Sequence, residues 1–352
     1  KYLGTGGSLV SSDTDPASVF YNPAGVGAFD RVSISAMHNS YYAGIANFDY
    51  AGVIFPFKYR QNLGISLIRF GIDNIPNTTR LYNPDGSINY DNVSSFSVSD
   101  MALYLSYGRR LQDTLGLSFG GSVKILKRDV GPFASAWGFG IDAGAQYMTS
   151  KYRLGLYLQD VSTTFATWTF SLDDTTKQIF QNTNNEIPKN SSEITLPAIH
   201  FGGQYQFLFG KAKNIEFNPT GKITLYTDKR NVLLTGPLSL DLAVGGELGI
   251  HKVAFIRFGL SNFTKATNDL GEDYISFVPS VGAGFNLGQL SIDYSYNNVA
   301  NSGIGLYSHV FSAVYRLKKK DKFSKPNVKY EEPIIGPNIP ADETIIPINI
   351  DE

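Results

Sequence analysis

The chain contains no cysteine, which excludes disulfides, thiolate metal sites, cysteine nucleophiles and lipid attachment through cysteine. An oxidising compartment is compatible with that absence and is not established by it. Charge is also scarce: Asp, Glu, Lys and Arg make up 17% of residues, against roughly 25% in ordinary soluble domains. The net charge of −1 gives no basis for a nucleic-acid partner. No apolar run approaches the ~18 residues that a membrane helix requires. The four histidines, His38, His200, His251 and His309, fall on separate segments without metal-ligand spacing. His309 follows Ser308, but neighbours along a strand point to opposite faces, which defeats a Ser–His pair. No Gly-rich phosphate loop opens a helix. No catalytic residue, metal or cofactor is expected, and the chain is read as a non-enzyme. It starts without Met or an apolar leader and is read as mature, with any signal peptide removed.

What the chain does have is alternation. Trp137, Phe139, Ile141, Ala143, Ala145 and Tyr147 alternate with Gly138, Gly140, Asp142, Gly144 and Gln146. Leu290, Ile292, Tyr294 and Tyr296 alternate with Ser291, Asp293 and Ser295. A period of two places one set on each face of a strand. The polar set is Gly, Ser, Asn and isolated charges, which suits a crowded or hydrated lumen, whereas soluble sandwiches favour Lys, Glu and Thr there. Tyr (21) and Phe (24) are abundant enough for two interfacial girdles, and Gly (35) recurs inside strand patterns. The mean hydropathy of −0.12 does not argue against a membrane, because half of each barrel strand is polar.

Strands are predicted at 31–40, 46–56, 62–72, 95–108, 114–127, 135–149, 152–160, 197–208, 219–228, 238–250, 252–261, 274–286, 289–298 and 306–317. Connectors after even-numbered strands are short, and most after odd-numbered strands are longer, above all Asp73–Ser94 and Val161–Leu196. Short periplasmic turns, long outer loops and an even strand number define a bacterial outer-membrane barrel. The expected fold is therefore an all-β, fourteen-stranded antiparallel transmembrane barrel spanning 31–317. Residues 1–30 precede it as a plug, and a Pro-rich periplasmic tail, 318–352, follows it. The tail carries five prolines and no Lys or Arg from Glu331 onward, so it is expected to be extended. Its Ile334-Ile335 and Ile345-Ile346-Pro347-Ile348 stretches also suit docking on a periplasmic partner.

Several residues stand out within that frame. In the third strand the alternation is read as slipping phase between Leu67 and Ile68, and Pro279 removes a ladder donor from the twelfth. Either is a twist correction or part of a lateral opening. Lys124, Asp142, Asp241, Glu247, Arg257, Asp293 and Arg316 fall on the polar face, where they brace the lumen or line a solute path. Phe165, Trp168, Phe170 and Ile179 in the longest connector are candidates for partner binding or for capping the barrel.

Asp15-Pro16-Ala17-Ser18-Val19-Phe20-Tyr21-Asn22-Pro23-Ala24-Gly25-Val26-Gly27 resembles the opening signature of the FadL superfamily of outer-membrane barrels, and more closely the PorV/PorQ family of the type IX secretion system of Bacteroidota. Phe70–Thr78, Trp137–Ala145 and Gly155–Val161 are similar to that family in the same order. The resemblance covers residues 4–317. It implies a FadL-like barrel whose N-terminal segment is a hatch seated by the turn Asn22-Pro23-Ala24-Gly25, with a lateral opening at the third strand. In PorV-like members it implies a partner barrel of the secretion translocon. Such a barrel receives secreted proteins by their C-terminal signal domains and passes them to the surface attachment machinery. PorQ-like members instead hold a surface-attachment protein. The other reading is a FadL-type transporter of hydrophobic small molecules. Either function places the protein in the outer membrane, in contact with membrane lipid.

Overall fold

A computed structural model describes residues 1–11, 15–83, 85–112, 116–268, 270–298 and 307–318. The tail beyond Lys318 lies outside the described residues. The chain forms strands β1 (Ser33–Tyr41), β2 (Ala46–Lys58), β3 (Gln61–Asn77), β4 (Ser94–Arg110), β5 (Leu117–Val130), β6 (Ala134–Met148), β7 (Tyr152–Gln159), β8 (Thr164–Phe170), β9 (Ser191–Thr195), β10 (Ala198–Tyr205), β11 (Phe207–Phe209), β12 (Ile215–Tyr226), β13 (Ser239–Ile250), β14 (Ala254–Thr267), β15 (Asp273–Leu287), β16 (Leu290–Asn298) and β17 (Tyr307–Arg316). All pairings are antiparallel, and β1 pairs with both β2 and β17, so the sheet closes on itself.

Seventeen segments occupy fourteen wall positions. β6 pairs with β7 through residues 143–148 and with β8 through 134–139. β7 pairs with β10 and β8 with β9. β7 and β8 are thus the two halves of one wall strand, as β9, β10 and β11 are of the next. The break falls at residues 160–163, where Asp160 (φ 55°) and Thr163 (φ 61°) turn left-handed. The connector expected at Val161–Leu196 therefore carries β8, β9 and the helix α2 (Asp174–Asn182). No helix is long and apolar enough to cross a membrane, a statement that leaves strands untouched.

The alternation decides which face each side chain takes. On β5, Phe119, Val123 and Ile125 are exposed on the outside of the wall while Ser118, Ser122 and Lys124 are buried inside. A closed ladder satisfies every wall amide from a neighbouring strand, which is why such a surface suits hydrocarbon. The third strand alternates without interruption: Ile65 and Leu67 face out, and Gly64, Ser66 and Ile68 face in. The phase slip expected between Leu67 and Ile68 is absent, since both ladders run unbroken through that point. Ile68 faces inward because the lumen there holds an apolar core of Val19, Val26, Phe29, Tyr50, Ile54 and Tyr104. The irregularity lies further along, between Ile72 and Ile75, where Asn74 is left-handed (φ 60°). Pro279 sits opposite Leu260, just beyond the last residue of β15 that pairs with β16, and faces outward. A second bulge lies nearby at Ser261/Thr264.

Candidate functional site

Residues 1–11 and 15–29 thread the lumen. They form a 3-10 turn (Leu3–Thr5), a one-turn helix α1 (Ser18–Tyr21) and a 3-10 helix (Pro23–Ala28). Asn22 joins the two helices in extended conformation (φ −174°), fully buried. Its Oδ1 accepts from the Ala24 amide at 3.0 Å. Its Nδ2 donates to Val10 O (2.7 Å), Ala145 O (3.1 Å) and Leu156 O (3.4 Å). One side chain therefore caps a helix, holds the preceding hatch segment and fastens both to β6 and β7. Pro23 takes the first helical position, where a missing amide proton costs nothing. Gly25 lies inside that helix without a left-handed backbone; the hatch's left-handed glycines are Gly6 and Gly7. The far end is held by Asn62, whose Nδ2 donates to Val26 O (2.8 Å) and Phe29 O (2.9 Å).

Wall glycines make room for this segment. A Cβ at Gly120 would overlap Pro23 O, at Gly144 Asn22 Oδ1, at Gly155 Val10 O, and at Gly259 the Thr5–Gly6 peptide. The lumen-facing glycines of several strands are thus a cradle, and the hatch backbone lies directly on the wall.

The predicted charges separate into two clusters. Lys124 Nζ lies 3.0 Å from Asp142 and 2.5 Å from Asp160, all three buried. The Asp160 amide donates to Asp142 (2.8 Å), and the Thr164 hydroxyl donates to Asp160. This cluster pins the break between β7 and β8 onto β5 and β6. Asp160, the member not singled out in the sequence, is brought there by the break itself. In the second cluster Arg257 bonds Glu247 at 2.6 Å and also Asp293. These three line a polar vestibule of about 480 Å³ at the short-turn end, together with Arg316, which donates to Ser291 (2.7 Å). Asp241 belongs to neither cluster and accepts from the Leu242 amide.

Two apolar cavities stand out, one among the outer connectors and one against the hatch. The outer, about 590 Å³, lies beneath the long connectors and is lined by Phe96, Phe133, Trp168, Phe170, Leu172 and Phe180 among others; no lining residue is charged among those described. Trp168 is fixed there by its Nε1–Glu193 bond (3.0 Å) and by the Arg128 guanidinium stacked 5.1 Å from its ring. Of the other loop residues singled out, Phe170 lines the same cavity. Phe165 faces outward against Phe139, and Ile179 is half-buried on α2 outside the lining. The inner cavity, about 130 Å³, lies between the hatch and β1, β2 and β17; Tyr2, Leu3, Phe20, Tyr41, Phe48 and Tyr50 line it, and so do the charged Lys1 and Asp15. The histidines remain apart: His38 meets Asp49, His200 meets Thr224 and Gln159, His251 meets Asn214, and His309 meets Tyr294. Ser308 is buried inside the wall while His309 faces out. No group of three or more metal-ligating side chains occurs among the described residues.

Comparison of the whole barrel with solved structures is decisive for the fold. A FadL homologue from Pseudomonas aeruginosa matches with a TM-score of 0.53 at 16% identity, over 89% of this chain and 97% of that one. The monoaromatic hydrocarbon channel CymD matches at 0.53 and 12%, over 90% and 96%. The Ralstonia pickettii toluene transporter TbuX matches at 0.53 and 12%, over 90% and 97%. The fold is a FadL-like, closed fourteen-stranded antiparallel β-barrel. No family model matches the chain, and no curated protein matches it. The FadL half of the sequence resemblance therefore agrees with the fold, and its PorV half finds no counterpart among these structures.

Proposed function

We propose that this chain is an outer-membrane barrel that binds small uncharged hydrophobic molecules beneath its outer loops and passes them toward the hatch. The outer cavity carries this reading. Its lining holds five aromatic side chains, some neutral polar ones and no charge, and burying an ionised headgroup there without a partner would cost several kcal/mol or more. Neutral apolar compounds are thereby preferred over carboxylates. The inner cavity supports the same class: about 130 Å³ is close to the ~150 Å³ hole that, in an unrelated protein, holds benzene. Structural neighbours that carry toluene and monoaromatic hydrocarbons agree with this chemistry. The test is Trp168 fluorescence in a Trp137→Phe background during toluene titration. A saturable change, abolished by Phe170→Asp, is expected. No saturable change with the barrel intact would overturn the reading.

A second reading is a type IX partner barrel that binds the translocon and secreted proteins through their C-terminal signal domains, with the tail as a periplasmic contact. The Asp15–Gly27 stretch supports it, as does a lumen filled by a hatch resting on wall glycines, which suits a shuttle better than a conduit. A gentle detergent pull-down with mass spectrometry separates the two. A very large barrel or secreted signal-bearing proteins would favour the second, and a lone barrel carrying small apolar ligand the first.

A further inference from the structure

We propose that the outside of β2–β5 holds one anionic phospholipid, its phosphate between Lys58 and Arg109 and one acyl chain in the apolar groove above them. The ladder registers place these groups. Lys58 pairs with Gln61, Gln61 with Arg109, and Arg109 with Phe119, which makes one row across the wall at the short-turn end. The next row is Phe55, Leu63, Tyr107 and Gly121, and the one after it Val53, Ile65, Leu105 and Val123. All of these but Val53 line a groove of about 470 Å³ on the outward face of the wall. On β3, β4 and β5 each row is two residues, or roughly 7 Å, from the last, and on β2 a bulge between Pro56 and Lys58 adds one residue, so the groove begins about one headgroup length above the cations.

The groove exists because position 121 has no side chain. Gly121 does not have a positive φ, and a Cβ there would sit 3.4 Å from Asp142 O, an ordinary contact. Neither backbone strain nor a close approach requires this glycine, unlike the lumen-facing ones, and its effect is the hollow between Tyr107 and the neighbouring strand.

Charge selects the occupant. Lys58 and Arg109 are exposed, and neither side chain has an ion pair or hydrogen bond with a described residue. Lys58 only stacks over the Phe57 ring at 5.3 Å. Arg60 and Arg110 lie on the same rim, donating to the carbonyls of Leu111 and Ala28. Residues 58–61 and 109–112 include no Asp or Glu, and Asp113, which follows them, lies outside the described residues. Lys58 and Arg109 lie two strands apart, about 10 Å between backbones, so both long side chains reach one phosphate. Such charge-assisted contacts are the strong class of hydrogen bond. An aqueous anion would leave the groove empty, whereas a phospholipid satisfies both parts. The inference rests on the outer-membrane placement and not on what the barrel carries.

The test is native mass spectrometry of the full chain from nonionic detergent supplemented with equal phosphatidylglycerol and phosphatidylethanolamine. One phosphatidylglycerol per barrel is expected to survive activation that strips phosphatidylethanolamine. Lys58→Gln with Arg109→Gln should lower that retention at least about tenfold. Gly121→Val should lower it too, with the rim charges untouched. Unboiled gel mobility identifies variants that remain compact barrels, and either variant alone is informative. Equal retention in wild type and variants means bulk lipid only and overturns the site. Loss with the charge variant but not with Gly121→Val removes the acyl groove and overturns it as stated. A second copy of this chain, or another polypeptide, retained in place of lipid also overturns it.

Discussion

Asn22 joins hatch and wall through a single side chain. Its carboxamide spends one lone pair on the Ala24 amide and offers both protons to carbonyls of the hatch and the wall. Asn22→Ala leaves those carbonyls buried without a donor, and each orphaned group costs about 1 kcal/mol. Destabilisation of roughly 2–4 kcal/mol is expected, measurable as a shift of the urea midpoint in detergent. Asn22→Asp keeps the cap but turns a buried carboxylate oxygen toward those carbonyls, and should be at least as destabilising as Asn22→Ala. Lys124 is a sharper case, because it is the cation paired with two buried carboxylates at once. Lys124→Met strands them, a change that typically costs about 3–5 kcal/mol. Lys124→Met combined with Asp142→Asn and Asp160→Asn removes the charges together and should restore most of that loss. If the single and triple variants unfold alike, the cluster contributes volume and not charge balance.

At the scale of the element, the outer hairpin depends on how α2 begins. Asp173 accepts from the Thr176 hydroxyl and amide and from Arg80, and these contacts hold its carboxyl at about 2, below the ordinary carboxylate range. A carboxylate depressed by folding contributes its stabilisation above its unfolded pKa and loses it as pH falls through the folded value. The cap should therefore persist at pH 4 and fail toward pH 2, read by hydrogen exchange of the α2 amides. Asp173→Asn should remove the pH dependence. The wall strands were legible because a period of two is written directly into residues such as Trp137–Tyr147. The break between β7 and β8 was not, because Asp160–Thr163 contains neither Gly nor Pro and becomes left-handed only where β6 and the Lys124 cluster receive it. Ile68 misled for a different reason. Opposite an apolar hatch a strand is apolar on both faces, so an inward Ile beside an outward Leu reads as a lost phase. The same absence of local signal hid Asp160 and left Phe165 grouped with Trp168 although the two face opposite sides.

At the scale of the molecule, the question is whether the filled lumen ever conducts. The hatch is held by Asn22 and Asn62, lies on wall glycines, and contributes Val19 and Val26 to the central apolar cluster. Removing it would withdraw that packing and expose a lumen lined by Ser, Gly and the two charge clusters. The wild-type barrel should accordingly pass little ion current in a planar bilayer, while deletion of residues 1–30 should open steps of steady conductance. Gly155→Val gives the intermediate case. Its side chain overlaps Val10 O, so the hatch must lift although every hatch residue is still present, and flickering conductance with faster proteolysis near Val10 is the expected signature. Steady, wild-type silence in both variants would mean that wall side chains and outer loops close the barrel unaided. An apolar ligand that enters by the outer cavity would then have to leave through the wall and not through the lumen.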